Sequence, residues 1–590
     1  MPRTMAPLPR ERKTVYNLLL AAEETWATAP ALHQPSGGGH YQTYTWVDYR
    51  QVAEEIAAGL RTLSIGVGDI VGLATETRAE FYLADVGVMT NGSIAAAVYT
   101  SLAPAEQVRS LANCDPKAVF IENAQALQAL QSAGGAELAV QWIVLEGEAP
   151  GAMTLRELRA RGQKALIDDP WLQSKFSTDV GPENYAILYL TSGATGEPKM
   201  GLVTHRALIA NIDMGPQVLD LGPEDVTVAF LPSAHITQRV VMELLMIRHG
   251  TPVHFSEGLA KLPRELQAIK PTFFVAPPRV WERIYSTVST ELRKRPLPLR
   301  RLAYLGIGVG AEAARARMAG KEPPALVRTT LRFFDRLVFS KIRARLGGRL
   351  RLAVSGAAPL GKDLAEFYAA IGMPLVEGYG LTEGGVVILN PMDRPRAGSI
   401  GKPLPGVRVK LAADGELLIH SETLFSGYYK DPASTAAVLR DGWLHTGDVA
   451  TIDRDGFVSI TGRKKELIVS SNGKKIYPAR IEGLFKLEPL VNQVLLVGDK
   501  RPYMTALITL NPQAAEHVQG PLLETELKRA VARVNKHLAS FEQIRKFKVI
   551  EREFSLEQGE LTPTMKLRRS KVIENFKDEI AALYAGREEF

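Results

Sequence analysis

Thr191-Ser-Gly-Ala-Thr-Gly-Glu-Pro-Lys199 is a Gly- and Thr-rich turn that directly follows an apolar run at residues 185–190, which predicts a β-strand. Glycines let backbone N–H groups approach a polyphosphate, hydroxyls add donors, and a lysine supplies a mobile positive charge. The turn is not a Walker A loop, because Pro198 and Met200 flank Lys199 where Gly-Lys-Ser/Thr would be required. By itself it fits either a phosphate-binding loop or an ordinary turn.

Helical and strand patterns alternate on both sides of this turn. Residues 45–63 carry apolar side chains at helical spacing, and Thr45 with Asp48 resembles a capping box at the start. Short apolar runs predict further strands at residues 226–231, 272–276 and 350–355. The alternation predicts an α/β fold with largely parallel sheets, in which ligands bind at the turns that follow the strands.

Two later regions have a different texture. Residues 291–349 are rich in arginine and carry apolar residues at helical spacing, which predicts a helical insertion. We interpret it as a solvated amphipathic insertion in preference to a membrane-docking surface, and peripheral contact with an anionic membrane stays open. After the turn signal at residues 453–456 the chain predicts a compact α+β unit, whose last helix carries Val572, Phe576, Ile580 and Tyr584 on one face.

Bulk composition limits the class of protein. A chain of 590 residues predicts at least two domains, and 46% hydrophobic with 23% charged residues is ordinary for a globular protein. The single cysteine, Cys114, excludes an internal disulfide, and the N-terminus lacks an apolar signal region, so we expect a cytoplasmic protein. The net charge of +7 favours anionic partners, but no nucleic-acid-binding motif accompanies it, so no nucleic acid is expected.

Seven segments together identify a family. The sequence resembles the AMP-forming acyl-CoA synthetases of the adenylate-forming superfamily, which includes beetle luciferases and the adenylation domains of peptide synthetases. Besides the 191–199 loop, the resemblance rests on Phe230-Leu-Pro-Ser-Ala-His-Ile236, Val354-Ser-Gly-Ala-Ala-Pro-Leu360, Glu377-Gly-Tyr-Gly-Leu-Thr-Glu383, Gly442-Trp-Leu-His-Thr-Gly-Asp448, Ile460-Thr-Gly-Arg-Lys-Lys-Glu466 and Leu561-Thr-Pro-Thr-Met-Lys566. Residues 271–285 and 337–343 are typical of the long-chain fatty acid branch.

The resemblance implies two domains. Residues 1–464 would form a large N-terminal domain of stacked α/β sheets with a small β-barrel-like subdomain, interrupted by the helical insertion at about 291–349. Residues 465–590 would form a small, mobile α+β domain that carries a catalytic lysine. Lys465 corresponds to the hinge about which this domain pivots between two half-reactions.

The resemblance also assigns an ATP site. Asp448 would bind the ribose hydroxyls, with Arg463 beside it, and Tyr379 would lie against the adenine. The remaining nucleotide-binding residues implied by the family are Thr191, Ser192, Gly193, Ala194, Thr195, Gly196, Lys199, Gly356, Ala357, Ala358, Pro359, Glu377, Gly378, Gly380 and Thr382.

The implied chemistry needs no catalytic triad. A fatty carboxylate is already ionised at neutral pH, so it attacks the α-phosphorus without a general base, and the obstacle is repulsion between anions. Lys566, Thr382 and a Mg²⁺ held by Glu383 and Thr191 would supply the stabilising contacts, with ATP and CoA as co-substrates. His235 would line the carboxylate pocket.

The sequence departs from the family pattern at two positions and is compatible with more than one function. Ala194 stands where the family generally has a hydroxyl, and Met200 where it generally has glycine, which puts the reaction rate in doubt. Alternatives to a long-chain CoA ligase are an acyl carrier protein synthetase, a ligase for another hydrophobic or aromatic acid, and a non-catalytic nucleotide-binding homologue. A homodimer is also open.

Overall fold

The computed structural model describes residues 7–191, 199–373, 375–516, 518 and 520–585. The predicted loop residues 192–198 therefore lie outside the described residues. The last strand before them extends over Tyr185–Thr191, as the apolar run predicted, and the chain resumes in the antiparallel strand Lys199–Thr204.

The first layer is an eight-stranded sheet. Its spatial order is Gly427–Tyr428, Lys199–Thr204, Tyr185–Thr191, Ile94–Ala97, Ile70–Ala74, Ala118–Ile121, Gln141–Val144 and Met153–Thr154. The last six of these strands pair in parallel. The three inner strands Ile70–Ala74, Ile94–Ala97 and Ala118–Ile121 are apolar and buried throughout, as expected for a parallel sheet covered by helices on both faces. The predicted α/β fold is confirmed.

Two further sheets complete the large N-terminal part. One contains Phe273–Ala276, Leu352–Ser355, Leu375–Leu381, Gly385–Leu389 and Lys402–Pro403, of which the first three are parallel. The other contains Thr227–Ala229, Val253–Phe255, Pro30–Gly37 and His40–Thr45. The strands predicted at 226–231, 272–276 and 350–355 all occur, each slightly shorter than its apolar run.

A small antiparallel unit follows, built from Arg408–Leu411, Glu416–His420, Leu439–Arg440, Trp443–Ile452 and Val458–Arg463. The turn signal at residues 453–456 joins its two longest neighbours, and Asp448 pairs directly with Arg463 in their register. This is the β-barrel-like subdomain that the resemblance implied.

Helices cover both faces of the sheets. In the helix Trp46–Thr62 the predicted capping box is present, since the Asp48 N–H donates to Thr45 Oγ1 and the Thr45 N–H to Asp48 Oδ2. The other helices of this part are Val15–Trp26, Ala79–Thr90, Pro104–Cys114, Ala124–Ser132, Leu155–Asp168, Leu172–Thr178, His205–Val218, Leu245–His249, Leu262–Ile269, Pro278–Lys294, Lys362–Ala370 and Pro432–Val438, with the π-helix Gln238–Leu244. Among the described helices, none has the length and apolarity needed to cross a bilayer.

The arginine-rich insertion is helical, as predicted. It consists of Leu297–Met318, Ala325–Phe334, the π-helix Asp335–Phe339 and Ser340–Ala344. Phe334, Phe339 and Ile342 are buried and join a core with the helix Lys362–Ala370. This packing leaves the opposite side of the helix Ala325–Phe334 exposed.

The C-terminal part is an α+β unit around the sheet Val491–Val497, Met504–Leu510 and Ile544–Ile550. It also contains the short strands Ile468–Val469 and Lys475–Ile476 and the helices Pro478–Leu484, Pro512–Ala515, Pro521–Asn535, Arg569–Asn575 and Lys577–Tyr584. The single last helix predicted from sequence is wrong. Phe576 leaves the helical conformation (φ −113°, ψ 30°) between two short helices, where its ring packs against Phe554.

Candidate active site

A cavity of about 1760 Å³ lies between the large N-terminal part and the C-terminal unit. Its wall is formed by residues of the sheet that contains Phe273–Ala276, by the antiparallel subdomain that contains Trp443–Ile452, and by the C-terminal loop that carries Lys566. Sequence-predicted site residues on this wall are His235, Gly356, Ala357, Gly378, Tyr379, Gly380, Thr382, Glu383, Arg463, Lys465, Lys566 and Lys199. Residues distant in sequence thus converge on one space.

Two neighbouring strands form one side of the cavity. Ser355 pairs with Glu377, so the turn that begins at Gly356 lies beside the backbone of Gly378. The Glu377 carboxylate accepts a hydrogen bond of 2.8 Å from the Leu360 N–H, and burial raises its pKa to about 6. Glu377 therefore links the strand Leu375–Leu381 to the turn between Gly356 and Leu360 by a buried hydrogen bond. Ala357 adopts a left-handed backbone (φ 70°), a strained conformation that recurs at ligand sites.

Asp448 is buried behind Tyr379 and Arg463. The Tyr379 hydroxyl donates to Asp448 Oδ2 at 2.6 Å, and Arg463 Nε lies 2.8 Å from Asp448 Oδ1. The antiparallel pair Asp448 and Arg463 explains this contact, because paired side chains project on the same face of the sheet. Burial and the Asp448 charge raise the pKa of Tyr379 well above its usual range, so the phenol stays a donor.

Glu383 has a partner that sequence reasoning missed. The Tyr428 hydroxyl donates to Glu383 Oε1 at 2.6 Å, and Lys199 Nζ lies 4.8 Å from the centre of the Tyr428 ring. Lys199 also donates to Ser434 Oγ at 2.8 Å. Tyr428 lies 45 residues from Glu383 in the chain, and nothing in its local sequence indicates the contact.

Lys566 projects from a tight loop. The Thr562 N–H donates to the Lys566 carbonyl, the Met565 N–H donates to the Thr562 carbonyl, and Leu561 forms a bridge with Leu567. Met565 has a left-handed backbone (φ 62°), which lets the chain reverse immediately before the lysine. The loop is therefore a short closed structure that presents one ammonium group to the cavity.

The electrostatics around Lys566 come from several segments. Burial lowers its pKa to about 8, with the Arg463 charge as a second cause, whereas Asp448, Glu466 and Glu383 act in the opposite direction. Burial also lowers the pKa of His235 to about 3, with the Lys566 charge as a second cause. His235 is thus neutral, and its Nδ1 accepts from the Thr237 N–H, which leaves the proton on Nε2.

One arm of the cavity is apolar. It begins at His235 and lies between the helix His205–Val218 and the sheet that contains Phe273–Ala276. Its lining residues are Ile212, Gly215, Val218, Leu219, Ile236, Val240, Val241, Leu245, Phe273 and Val275. A Cβ added at Gly215 would lie 2.3 Å from Leu245 Cδ1, so only glycine permits this close approach. Such a surface excludes charged groups and accepts hydrocarbon.

Other predicted site residues are placed differently. The described cavity lining does not include Ala358, Pro359, Glu377 or Asp448. Two partners of Asp448, Tyr379 and Arg463, do line the cavity. The side chain of Thr191 and all of Ser192, Gly193, Ala194, Thr195 and Gly196 lie outside the described residues. Met200 lines the cavity, and its carbonyl accepts from the Tyr429 N–H.

The C-terminal unit is held in place against the helix Pro278–Lys294. Lys486 Nζ lies 2.9 Å from Glu282 Oε1, and Arg279 donates to the Asn492 carbonyl at 2.9 Å. Lys486 also donates to the Pro359 carbonyl, in the turn that begins at Gly356. These contacts stabilise the orientation in which Lys566 faces Glu383 and Asp448.

Comparison with known proteins places the chain. The model of the AMP-binding enzyme family matches residues 20–429, and that of the AMP-binding enzyme C-terminal domain matches residues 465–588. The chain belongs to the AMP-binding enzyme family. The long-chain-fatty-acid–CoA ligase FadD15 of Mycobacterium tuberculosis is 34% identical over 575 residues, which cover 92% of each chain. Rat long-chain-fatty-acid–CoA ligase 5 is 29% identical over 606 residues, covering 93% of this chain and 85% of that protein.

Solved structures share the fold. The adenylation domain of a carboxylate reductase from Mycobacterium chelonae superposes with a TM-score of 0.76 at 22% identity, covering 97% of this chain and 91% of that one. The anthranilate CoA ligase AuaEII, in complex with anthranoyl-AMP, gives 0.75 at 21% identity, covering 97% and 99%. The two-part architecture is therefore that of this family's adenylation enzymes.

Proposed function

We propose that this AMP-binding enzyme converts a long-chain fatty acid and ATP to acyl-AMP and pyrophosphate, and then transfers the acyl group to CoA with release of AMP. The single observation that carries the proposal is that Lys566, Tyr379, Arg463 and Glu383 line the same cavity as the apolar arm. A nucleotide at the polar end and a hydrocarbon chain in the arm would bring a carboxylate next to the α-phosphate. The names of the relatives support the same substrates.

In the first half-reaction, a carboxylate oxygen forms a bond to the α-phosphorus and the bond to pyrophosphate breaks. Lys566 would neutralise negative charge that builds up between the two anions, in a site shielded from water. The neutral His235 would donate its Nε2–H and orient the carboxylate. Tyr379 and Arg463, held by Asp448, would position the adenine and ribose.

Mg²⁺ fits the donor set at Glu383. Glu383 presents a carboxylate to the cavity, and Mg²⁺ takes one or two carboxylates and completes its shell with phosphates and water. Glu383, oriented by Tyr428, would hold it, with Thr191 as the second predicted ligand. The ion would neutralise phosphate charge when bound.

In the second half-reaction the C-terminal unit would turn about Lys465. Lys566 would leave the cavity, and the segment at residues 471–474 would enter for attack by the CoA thiol on the acyl carbonyl, with AMP as leaving group. Lys465 lies in the short 3₁₀ helix Lys464–Glu466, between the subdomain and the C-terminal sheet. Residues 1–464 and 465–590 would then be the two moving bodies.

The apolar arm gives a prediction for chain length. Gly215→Ala is expected to push the Leu245 side chain into the arm, because the added Cβ overlaps its Cδ1 position. We expect kcat/KM for palmitate to fall on the order of tenfold relative to that for octanoate. Gly308→Ala is the matched control, since this helical glycine has open space at its Cβ. An equal loss on both acids would contradict the assignment of the arm.

The pKa of Lys566, lowered to about 8, predicts that kcat/KM for adenylation decreases on the alkaline side of its pH profile. The protonated amine is the active form, so kcat/KM for adenylation should fall as the pH rises through about 8, which reports the free enzyme. Lys566→Arg should remove this limb, because a guanidinium stays charged throughout the range. A limb that persists in Lys566→Arg would assign it to another group.

An acid panel tests the proposed function directly. ATP–pyrophosphate exchange with acids from acetate to stearate is expected to be greatest for the long chains, and product analysis with CoA or acyl carrier protein identifies the acceptor. Preference for an aromatic acid, or for carrier protein, would favour the alternative ligases. Silence across the whole panel would favour a non-catalytic nucleotide-binding protein, with Ala194 and Met200 as the first positions to restore.

A further inference from the structure

The arginine-rich insertion holds the positive charge of this protein. Residues 291–349 contain 15 Lys and Arg against four Asp and Glu, a net charge of +11, whereas the whole chain is +7. The remainder of the chain is therefore net negative, at −4. This concentration of positive charge on one helical segment creates a positive electrostatic potential, which attracts anionic surfaces.

Few of these cations are neutralised within the protein. Of the 15, only Arg328, Arg343 and Arg345 form an ion pair with a described carboxylate. Arg332 and Arg336 are exposed on the helix Ala325–Phe334 and its π-helical continuation, with no described carboxylate oxygen within 4.0 Å. Their charge faces solvent.

The same segment exposes large apolar side chains. Leu326 is 78% exposed and Phe333 56%, and the others are Leu297, Leu299, Tyr304, Leu305 and Leu337. Seven such side chains within 41 residues make up more than a third of the 19 large hydrophobic residues that are exposed in the described chain. Isolated exposed hydrophobic residues are ordinary, but a cluster within a basic segment indicates an interaction surface.

Helical geometry arranges these residues as two parallel stripes. Leu326 and Phe333 are seven residues apart in the α-helix, or about two turns, so they lie on one face, and Leu337 is exposed in the π-helix that continues it. Arg328 and Arg332 are four residues apart in the same α-helix and form a second stripe, which the exposed Arg336 follows in the π-helix. Phe334, Phe339 and Ile342, which anchor the helix to the core, occupy the buried side.

We propose that this double-stripe surface docks on the face of an anionic lipid bilayer. Arginines would contact lipid phosphates while Leu326, Phe333 and Leu337 enter the boundary with the acyl chains, the arrangement of interfacial amphipathic helices. The apolar stripe distinguishes a bilayer from a nucleic acid, which would use the cations but not the leucines and phenylalanine. A long-chain acid dissolved in the bilayer would then be close to the enzyme that activates it.

Vesicle co-sedimentation of the full chain tests the proposal. Phosphatidylcholine vesicles containing phosphatidylglycerol are expected to retain the protein, and pure phosphatidylcholine vesicles to retain roughly tenfold less. Leu326→Ser/Phe333→Ser and, separately, Arg332→Glu/Arg336→Glu should each lower retention by about tenfold or more. ATP–pyrophosphate exchange with a soluble short-chain acid should stay unchanged in both variants, which shows that they are folded.

The matched control is Ile167→Ser/Trp171→Ser, because these two side chains are 74% and 75% exposed but lie outside the insertion. It should bind anionic vesicles as the unmodified protein does. Equal retention by neutral and anionic vesicles, or undiminished retention of the Leu326→Ser/Phe333→Ser variant, would overturn the proposal. So would a dimer in sedimentation that only this variant dissociates, or retention by DNA but not by vesicles, since these results would assign the surface to a second copy or to nucleic acid.

Discussion

Lys566→Ala is expected to lower the rate of acyl-AMP formation from free acid and ATP by about 10²- to 10³-fold, the usual loss when one preorganised charge stabiliser is removed. In this structure the ammonium lies among groups from distant segments, and the Asp448, Glu466 and Glu383 charges all bear on it. Its removal takes away a buried cation that the C-terminal unit contributes to the cavity in which the two anions would react. ATP–pyrophosphate exchange with palmitate measures the loss.

The same variant should form thioester from supplied acyl-AMP and CoA at close to the normal rate, because in the proposed mechanism Lys566 would leave the cavity for that step. Lys571→Ala is a matched control, since this nearby lysine pairs only with Glu574 on the surface. An equal loss of both half-reactions in Lys566→Ala would contradict its assigned role and indicate a general structural defect.

Lys465→Pro is expected to have the opposite effect: near-normal pyrophosphate exchange and a loss of CoA-dependent turnover of about 10²-fold or more. Lys465 is the second residue of a 3₁₀ helix, a position whose N–H has no intrahelical acceptor and for which the usual range of φ includes the angle that a proline ring imposes. The substitution should therefore be compatible with the orientation seen here. It should oppose the backbone rotation that the second orientation needs.

Lys465→Ala provides the comparison, because it removes the same charge without restricting φ, and it should retain both activities. Single-turnover measurements of acyl-AMP formation and of its consumption by CoA separate the two steps. Normal CoA turnover in Lys465→Pro would refute the hinge assignment. The contacts Lys486–Glu282 and Arg279–Asn492 would have to break during the proposed rotation, so they would set part of its free-energy cost.

Much of the fold and of the site follows from short consecutive segments. The strand at Tyr185–Thr191, the capping box at Thr45 and the helical insertion all depend on neighbouring residues, and local patterns predict them correctly. The break at Phe576 was missed, because the apolar spacing continues through it while the ring turns to pack on Phe554. Periodicity records which side chains are buried and not whether the backbone stays helical.

By itself, the sequence determined the family, the two-part architecture and the chemical groups that the site contains, because each motif is a run of adjacent residues whose identities carry the chemistry. Tertiary structure alone decided which groups meet, such as the Tyr428 hydroxyl and Glu383. It also decided how deeply Lys566 is buried, which lowers the pKa of its amine to about 8. It also decided that Leu326 and Phe333 are exposed near Arg332 and Arg336, which have no described carboxylate partner. The physical reason is that contacts, burial and exposure depend on how distant segments pack, which no local pattern encodes.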